Sequence, residues 1–137
     1  METKKVLTLD DAKLIAAAAD AEAKRNNWRV AITIVDDGGH LVYFQKADGT
    51  QIGSIEVAQG KAKTALLFKR PTKAWEEKLA EGRMGFLAMP GLCPVEGGLP
   101  LTVANEVVGA IGVSGVQSSE DAQIARAGVA ALAQKYS

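Results

Sequence analysis

The sequence predicts a single α+β domain, residues 1–137, in which helices flank an antiparallel sheet. A chain of 137 residues suffices for one domain with a sizeable core. Apolar residues recur at helical spacing in some segments and alternate in others, which distinguishes helices from strands. Short turns join the strand segments in pairs, and such hairpins are antiparallel. The predicted order is therefore helix, hairpin, helices, hairpin, helix.

The first predicted helix extends from Leu9 to about Asn26. Thr8 precedes it as the N-cap residue, and Asp10 and Asp11 occupy its first turn. Carboxylates are favourable there because the N-terminal end of the helix dipole is positive. The apolar positions of this segment carry mostly alanine, so its buried face should pack closely on the sheet.

The first predicted hairpin joins a strand from Arg29 to Val35 to a second strand from Leu41 to Gln45. Side chains of the first strand alternate between two apolar faces, which is the period of a β-strand. Asp37, Gly38 and Gly39 lie between the strands and supply the positive-φ residues that a hairpin turn needs.

Two helices follow in the middle of the chain. The longer one is predicted over residues 52–68 and ends before Pro71, because proline cannot continue a helix. A short helix from Lys73 to Ala80 follows, with Thr72 as its cap. The apolar but punctuated segment from Met84 to Leu92 is predicted to be a loop over a hydrophobic surface.

The second predicted hairpin comprises strands Leu99–Ala104 and Val107–Ser114, with its turn around Asn105-Glu106. Gly109 and Gly112 lie inside the later strand and predict close approach by a helix or a ligand.

The last predicted helix extends to about Gln134. Ser118 is expected to be its cap, with Asp121 at the capping-box position. A dinucleotide-binding fold is not expected, because no strand is followed by the required glycine-rich turn.

Composition narrows the function classes. Lysine plus arginine equals aspartate plus glutamate, 16 each, and no basic stripe predicts nucleic-acid binding. A near-neutral chain with 47% hydrophobic residues favours self-association into a homo-oligomer. Cys93 is the single cysteine, which suits a reducing compartment. The apolar run from Leu14 to Ala19 is too short to span a membrane, so we expect a cytoplasmic protein.

His40 is the only histidine and follows a glycine pair. An imidazole can ligate haem iron or transfer protons near neutral pH, although His40 could equally be a solvated hairpin residue. Ligation by two histidines would require two subunits, since one chain has one imidazole. Within one chain, His40 could pair with Met84 or Met89, although methionines in such a loop commonly fill apolar gaps. Cys93 and Tyr43 are weaker candidate ligands.

A second hypothesis is a cofactor-independent lyase or isomerase acting on a small carboxylate. Such an enzyme needs a cationic clamp and one acid/base group. The candidate residues are His40, Arg70 and Glu96 for catalysis, with Gly38, Gly39, Lys61, Lys63, Gly97 and Gly98 for ligand binding. The lysines could instead form a solvated helix face, and Arg70 could cap the carbonyls of its helix. A third hypothesis is a non-catalytic assembly subunit. No Cys/His spacing predicts a structural metal cluster.

Five stretches, taken in order, resemble the haem-binding GlcG/HbpS-like family, and together they cover most of the chain. They are Ile34–Leu41, Lys61–Phe68 with Arg70-Pro71-Thr72, Gly97–Leu101, Val107–Gly115 and Glu120–Gly128.

This resemblance implies a profilin-like α/β sandwich that assembles into homo-oligomers, frequently octamers. The family includes haem-binding proteins, a domain fused to cobalamin adenosyltransferases, and a lyase that acts on hydroxylamino-aromatic acids. The expected ligand is therefore either haem, as a cofactor, or a small aromatic or hydroxy acid. Because one fold can carry many sites, the family membership is a firmer expectation than the activity.

Overall fold

A computed structural model describes residues 1–137 and contains four α-helices and one four-stranded antiparallel sheet. The helices are α1 (Leu9–Arg25), α2 (Ser54–Phe68), α3 (Lys73–Ala80) and α4 (Ser118–Lys135); the strands are β1 (Ala31–Asp36), β2 (Leu41–Lys46), β3 (Gly98–Val103) and β4 (Glu106–Ser114). The predicted α+β class and element order are confirmed. A 3₁₀ helix (Met84–Ala88) lies inside the segment predicted to be a loop. No helix combines the length and the apolar character that crossing a membrane requires.

The strand order is β2-β1-β4-β3, so the two hairpins join through their inner strands. Ile34 pairs with Ile111 across this junction, and both side chains are fully buried. Helices α1 and α4 contribute Ile15 and Ile124 to the same core cluster. Strand β1 is buried on both faces, because α2 covers the opposite face of the sheet.

Helix α2 packs very close to the sheet at Gly112, as this glycine of β4 predicted. A Cβ atom at Gly112 would lie 2.1 Å from the carbonyl oxygen of Ala58, so only glycine fits beneath this helix. Ala62 and Ala65 continue the contact in a second apolar cluster with Val35 and Ala110. The element that approaches Gly112 is therefore a helix of the same chain rather than a ligand.

Helix α1 begins with the cap that the sequence predicted. The Thr8 hydroxyl accepts the backbone N–H of Asp11 at 3.1 Å, and the Asp11 carboxylate accepts the Thr8 N–H at 3.2 Å. The two residues thereby satisfy each other's backbone donors.

Three local predictions were wrong. Gln117, not Ser118, caps α4, and Glu120 completes that capping box, so Asp121 is free to turn into the interior. Thr72 occupies the N-cap position of α3 as predicted, but the expected side-chain cap is absent, because its hydroxyl accepts the Gly98 N–H at 2.9 Å.

The third wrong prediction concerns the second hairpin, whose turn lies one residue earlier than predicted. Ala104 and Asn105 both have positive φ, at 51° and 65°, which is the backbone of a tight two-residue hairpin turn. The strand β4 consequently starts at Glu106.

Asp11 also ties the end of α4 to the start of α1. Lys135 and Tyr136 donate hydrogen bonds to Asp11 Oδ1 at 2.6 and 2.7 Å. Burial alone would raise the pKa of Asp11, but these bonds and those of Thr8 outweigh it and hold the pKa far below its usual range. The ionised carboxylate is therefore the form that stabilises the helix pair.

We predict that Asp11→Asn lowers the free energy of unfolding by about 1.5–3 kcal/mol at pH 7, because it removes charged hydrogen bonds. Since the folded-state pKa is depressed, this stabilisation is complete above the unfolded pKa of about 4 and is lost as pH falls. Thermal unfolding at pH 7 and pH 3 should show a difference between wild type and variant that shrinks at low pH. Asp10→Asn, at an exposed neighbour, is the control. An equal difference at both pH values would contradict this role of Asp11.

Candidate functional site

His40 projects from the turn between β1 and β2. The Asp36 side chain organises this turn, because its Oδ1 accepts the backbone N–H of Gly38 at 2.9 Å and of His40 at 3.0 Å. Gly39 has φ +82°, a conformation that suits glycine. The His40 imidazole Nδ1 lies 3.6 Å from the same Asp36 oxygen, and the side chain is 84% exposed. The turn therefore presents an imidazole on an organised backbone.

The surroundings of His40 combine cations with apolar surface. A Cβ atom at Gly39 would lie 3.8 Å from Lys63 Cγ, so α2 brings an exposed lysine beside the turn. Lys4 forms an ion pair with Asp37 at 2.7 Å. Leu41, which follows the histidine, is 54% exposed. The structure thus groups four predicted site residues, Gly38, Gly39, His40 and Lys63, at one end of the sheet.

Lys61 lies in the interior, in contrast to Lys63. Its side chain is 2% exposed, and its ammonium donates to the Asp121 carboxylate at 2.9 Å and to the Val113 carbonyl at 3.0 Å. The other Asp121 oxygen accepts the Val116 N–H at 3.1 Å. Burial raises the pKa of Asp121, while the Lys61 charge and the Val116 hydrogen bond oppose that rise. Lys61 therefore joins α2, the end of β4 and the start of α4.

Gly97 and Gly98 pack directly on Lys61. A Cβ atom at Gly97 would lie 2.8 Å from Lys61 Nζ, and one at Gly98 would lie 2.4 Å from the Lys61 carbonyl oxygen. Gly97 also has φ +134°. The inner side of this glycine pair, which was predicted to bind a ligand, is thus occupied by the helix that carries Lys61.

Glu96 lies at a surface cleft with a volume of about 190 Å³. The lining residues are Pro71, Lys73, Glu96, Gly97, Gly98, Leu99, Ala122 and Arg126. The structure therefore groups Glu96 with both predicted glycines. Lys73 and Arg126 were not predicted as site residues, although Arg126 lies in the last of the five stretches that carry the family resemblance. We name this feature the Glu96 cleft.

Arg70 lies outside the Glu96 cleft and stabilises the end of α2. Its Nε donates to the Phe68 carbonyl oxygen at 3.1 Å, and its guanidinium lies 5.2 Å from the centre of the Trp75 ring. The ring in turn makes edge-to-face contacts with Phe68 and Phe86, each with ring centres 5.0 Å apart. These contacts are those of a helix-capping arginine.

The structure does not bring His40, Arg70 and Glu96 together within one chain. His40 directly precedes β2 and Glu96 lies two residues before β3, and these strands form opposite edges of the sheet. Three strand spacings separate the edges by roughly 14 Å. A single chain thus carries two separate groups of predicted site residues.

The other candidate iron ligands differ in availability. Met84 is 58% exposed in the 3₁₀ helix, whereas Met89 is partly buried. The Tyr43 hydroxyl donates to Gln45 at 3.3 Å. Cys93 is half-buried, and burial raises the pKa of its thiol. No group of three or more metal-ligating side chains comes together in the chain.

The fold and sequence together define the class of protein. The family model described as haem-degrading protein HbpS-like matches residues 7–130, and the chain belongs to this family. It is 42% identical to Protein GlcG of Escherichia coli K12 over 114 residues, which is 83% of this chain and 85% of the relative.

Two solved structures support the same assignment. A Streptomyces reticuli HbpS double mutant superposes with a TM-score of 0.86 and 32% identity, over 95% of this chain and 89% of that one. A complex described as PduOC with haem superposes with a TM-score of 0.84 and 25% identity, over 93% of this chain and 95% of that one.

We predict that Asp121→Asn lowers the free energy of unfolding by about 3–5 kcal/mol, because the Lys61 charge stays buried without its counterion. The double variant Lys61→Met/Asp121→Leu should recover part of that loss, since both charges are then absent. Asp20→Asn is the control, because it removes the exposed pair with Lys24 and should cost about 0–1 kcal/mol. Urea unfolding followed by circular dichroism measures all three. Equal effects of the Asp121 and Asp20 variants would contradict the role given to the buried pair.

Proposed function

We propose that this chain binds haem and that His40 would hold the haem iron. The observation that carries the proposal is the exposed imidazole on the turn ordered by Asp36. Histidine is a common axial ligand in haem proteins. The description of the family and the haem complex among the similar structures support this choice of ligand.

The residues around His40 fit haem chemically. Nδ1 lies on the side of the Asp36 carboxylate, 3.6 Å from its oxygen, so the opposite ring nitrogen, Nε2, would be the one left for the iron. Lys63 could pair with a propionate group, and Leu41 offers apolar contact to the macrocycle. Bound haem would supply redox and gas-binding chemistry at its iron. The chain's own contribution would be to bind, orient and shield it.

The site is incomplete within one chain. An imidazole that is 84% exposed cannot by itself shield a macrocycle from water, and His40 lines none of the three main clefts. A second copy would supply further shielding from water and could add a second His40. The proposal therefore includes a homo-oligomer, with the octamer implied by the family resemblance as the first assembly to test.

We also propose that the protein is cytoplasmic, because one unpaired cysteine suits a reducing environment. We propose no nucleic-acid or membrane partner, since positive and negative side chains balance at 16 each.

We predict that haem titration of the wild type gives a Soret band that shifts or disappears in His40→Ala, because the imidazole would be lost as ligand. Met84→Leu is the matched control, since it removes an exposed alternative ligand with little change in volume. Absorption spectroscopy at micromolar haem, together with sedimentation velocity on the same samples, measures ligation and assembly. A wild-type spectrum identical to that of free haem, or a band in His40→Ala that is unchanged from the wild type, would contradict the proposal.

A further inference from the structure

We infer that the Glu96 cleft is a second ligand site, separate from His40, for a small monocarboxylic acid with a hydroxyl or ammonium group on the adjacent carbon. At about 190 Å³ the cleft is smaller than the 300–1,000 Å³ pockets typical of drug-sized ligands. A molecule of only a few carbon atoms fits a cleft of this size.

Two cations at this cleft are available to a carboxylate. Arg126 extends from α4, is exposed and takes part in no ion pair of the chain. Lys73, at the start of α3, has only a long contact of 3.9 Å with Glu77, and both side chains are more than half exposed. Exposed pairs of this kind are weak, so a ligand can compete for Lys73. The planar guanidinium of Arg126 can hold a carboxylate through two hydrogen bonds.

Glu96 supplies the second element of recognition. Its backbone N–H donates to Glu76 Oε1 at 3.2 Å, which fixes the main chain, while its carboxylate forms no ion pair. A free carboxylate beside the bound acid would accept a hydrogen bond from a hydroxyl or ammonium group. It would also repel a second carboxylate, so the site favours monocarboxylates over dicarboxylates.

The inner wall of the cleft is preorganised by the core. Gly98 exchanges hydrogen bonds with Thr72, donating to its hydroxyl at 2.9 Å and accepting its N–H at 3.0 Å. The Gly97 carbonyl accepts the Val113 N–H at 3.0 Å. Both glycines pack against the buried Lys61. Because glycine has no side chain, no side chain of this wall has to move when a ligand binds. A wall already fixed in place reduces the ordering cost of binding.

The inference is tested by isothermal titration of haem-free protein with three acids of similar size: L-lactate, L-alanine and propionate. Lactate or alanine should bind at least tenfold more tightly than propionate, which lacks the donor for Glu96. The tighter of the two identifies the preferred donor as hydroxyl or ammonium. Glu96→Ala should remove this preference over propionate.

Arg126→Gln should weaken binding of the preferred acid tenfold or more. Arg25→Gln, on the exposed surface of α1, is the matched control and should leave it unchanged. His40→Ala should retain acid binding, which separates this site from the proposed haem site. Absence of binding to both donor-bearing acids, equal affinity for propionate, or equal effects of the two arginine variants would overturn the inference.

Discussion

The buried ion pair between Lys61 and Asp121 is the constraint on which the arrangement of the helices around the sheet depends. A lysine in the interior is unfavourable unless its charge is paired and its remaining donors are used. Here Asp121 supplies the counterion and the Val113 carbonyl a second acceptor. The pair therefore fixes α2 against the end of β4 and the start of α4. It also determines why glycine stands at positions 97 and 98, where a side chain would collide with Lys61 or its helix.

The charged side chains of this chain fall into two groups: those that pair with each other to stabilise the fold, and those that are exposed and available to ligands. Lys61 and Asp121 neutralise each other in the core, and Asp11 is occupied by Lys135 and Tyr136. His40 and Arg126, in contrast, extend from the surface at different edges of the molecule, one at the first hairpin and one on α4. The two sites proposed for this chain thus lie on separate surfaces, and neither requires the buried pair to move.

The sequence predicted the elements well because local signals specify them. Thr8 and Asp11 form their cap within four residues, and the boundaries Lys73–Ala80 were predicted correctly. The start of α4 was ambiguous, because Gln117 with Glu120 and Ser118 with Asp121 have the same capping spacing. Lys61 could not be placed, because its partner is 60 residues away and a helical lysine is ordinarily solvated. The separation of His40 from Glu96 follows from the strand order, which no local pattern encodes.

Above all, we propose that His40, on the turn ordered by Asp36, is the residue that would bind the iron of haem. A crystal structure of the protein loaded with haem, with data collected at the iron absorption edge, tests it most directly. We expect an anomalous iron peak within bonding distance of His40 Nε2, with Lys63 beside a propionate group. An iron peak ligated only by Met84, Met89, Tyr43 or Cys93, with His40 in solvent, would contradict it.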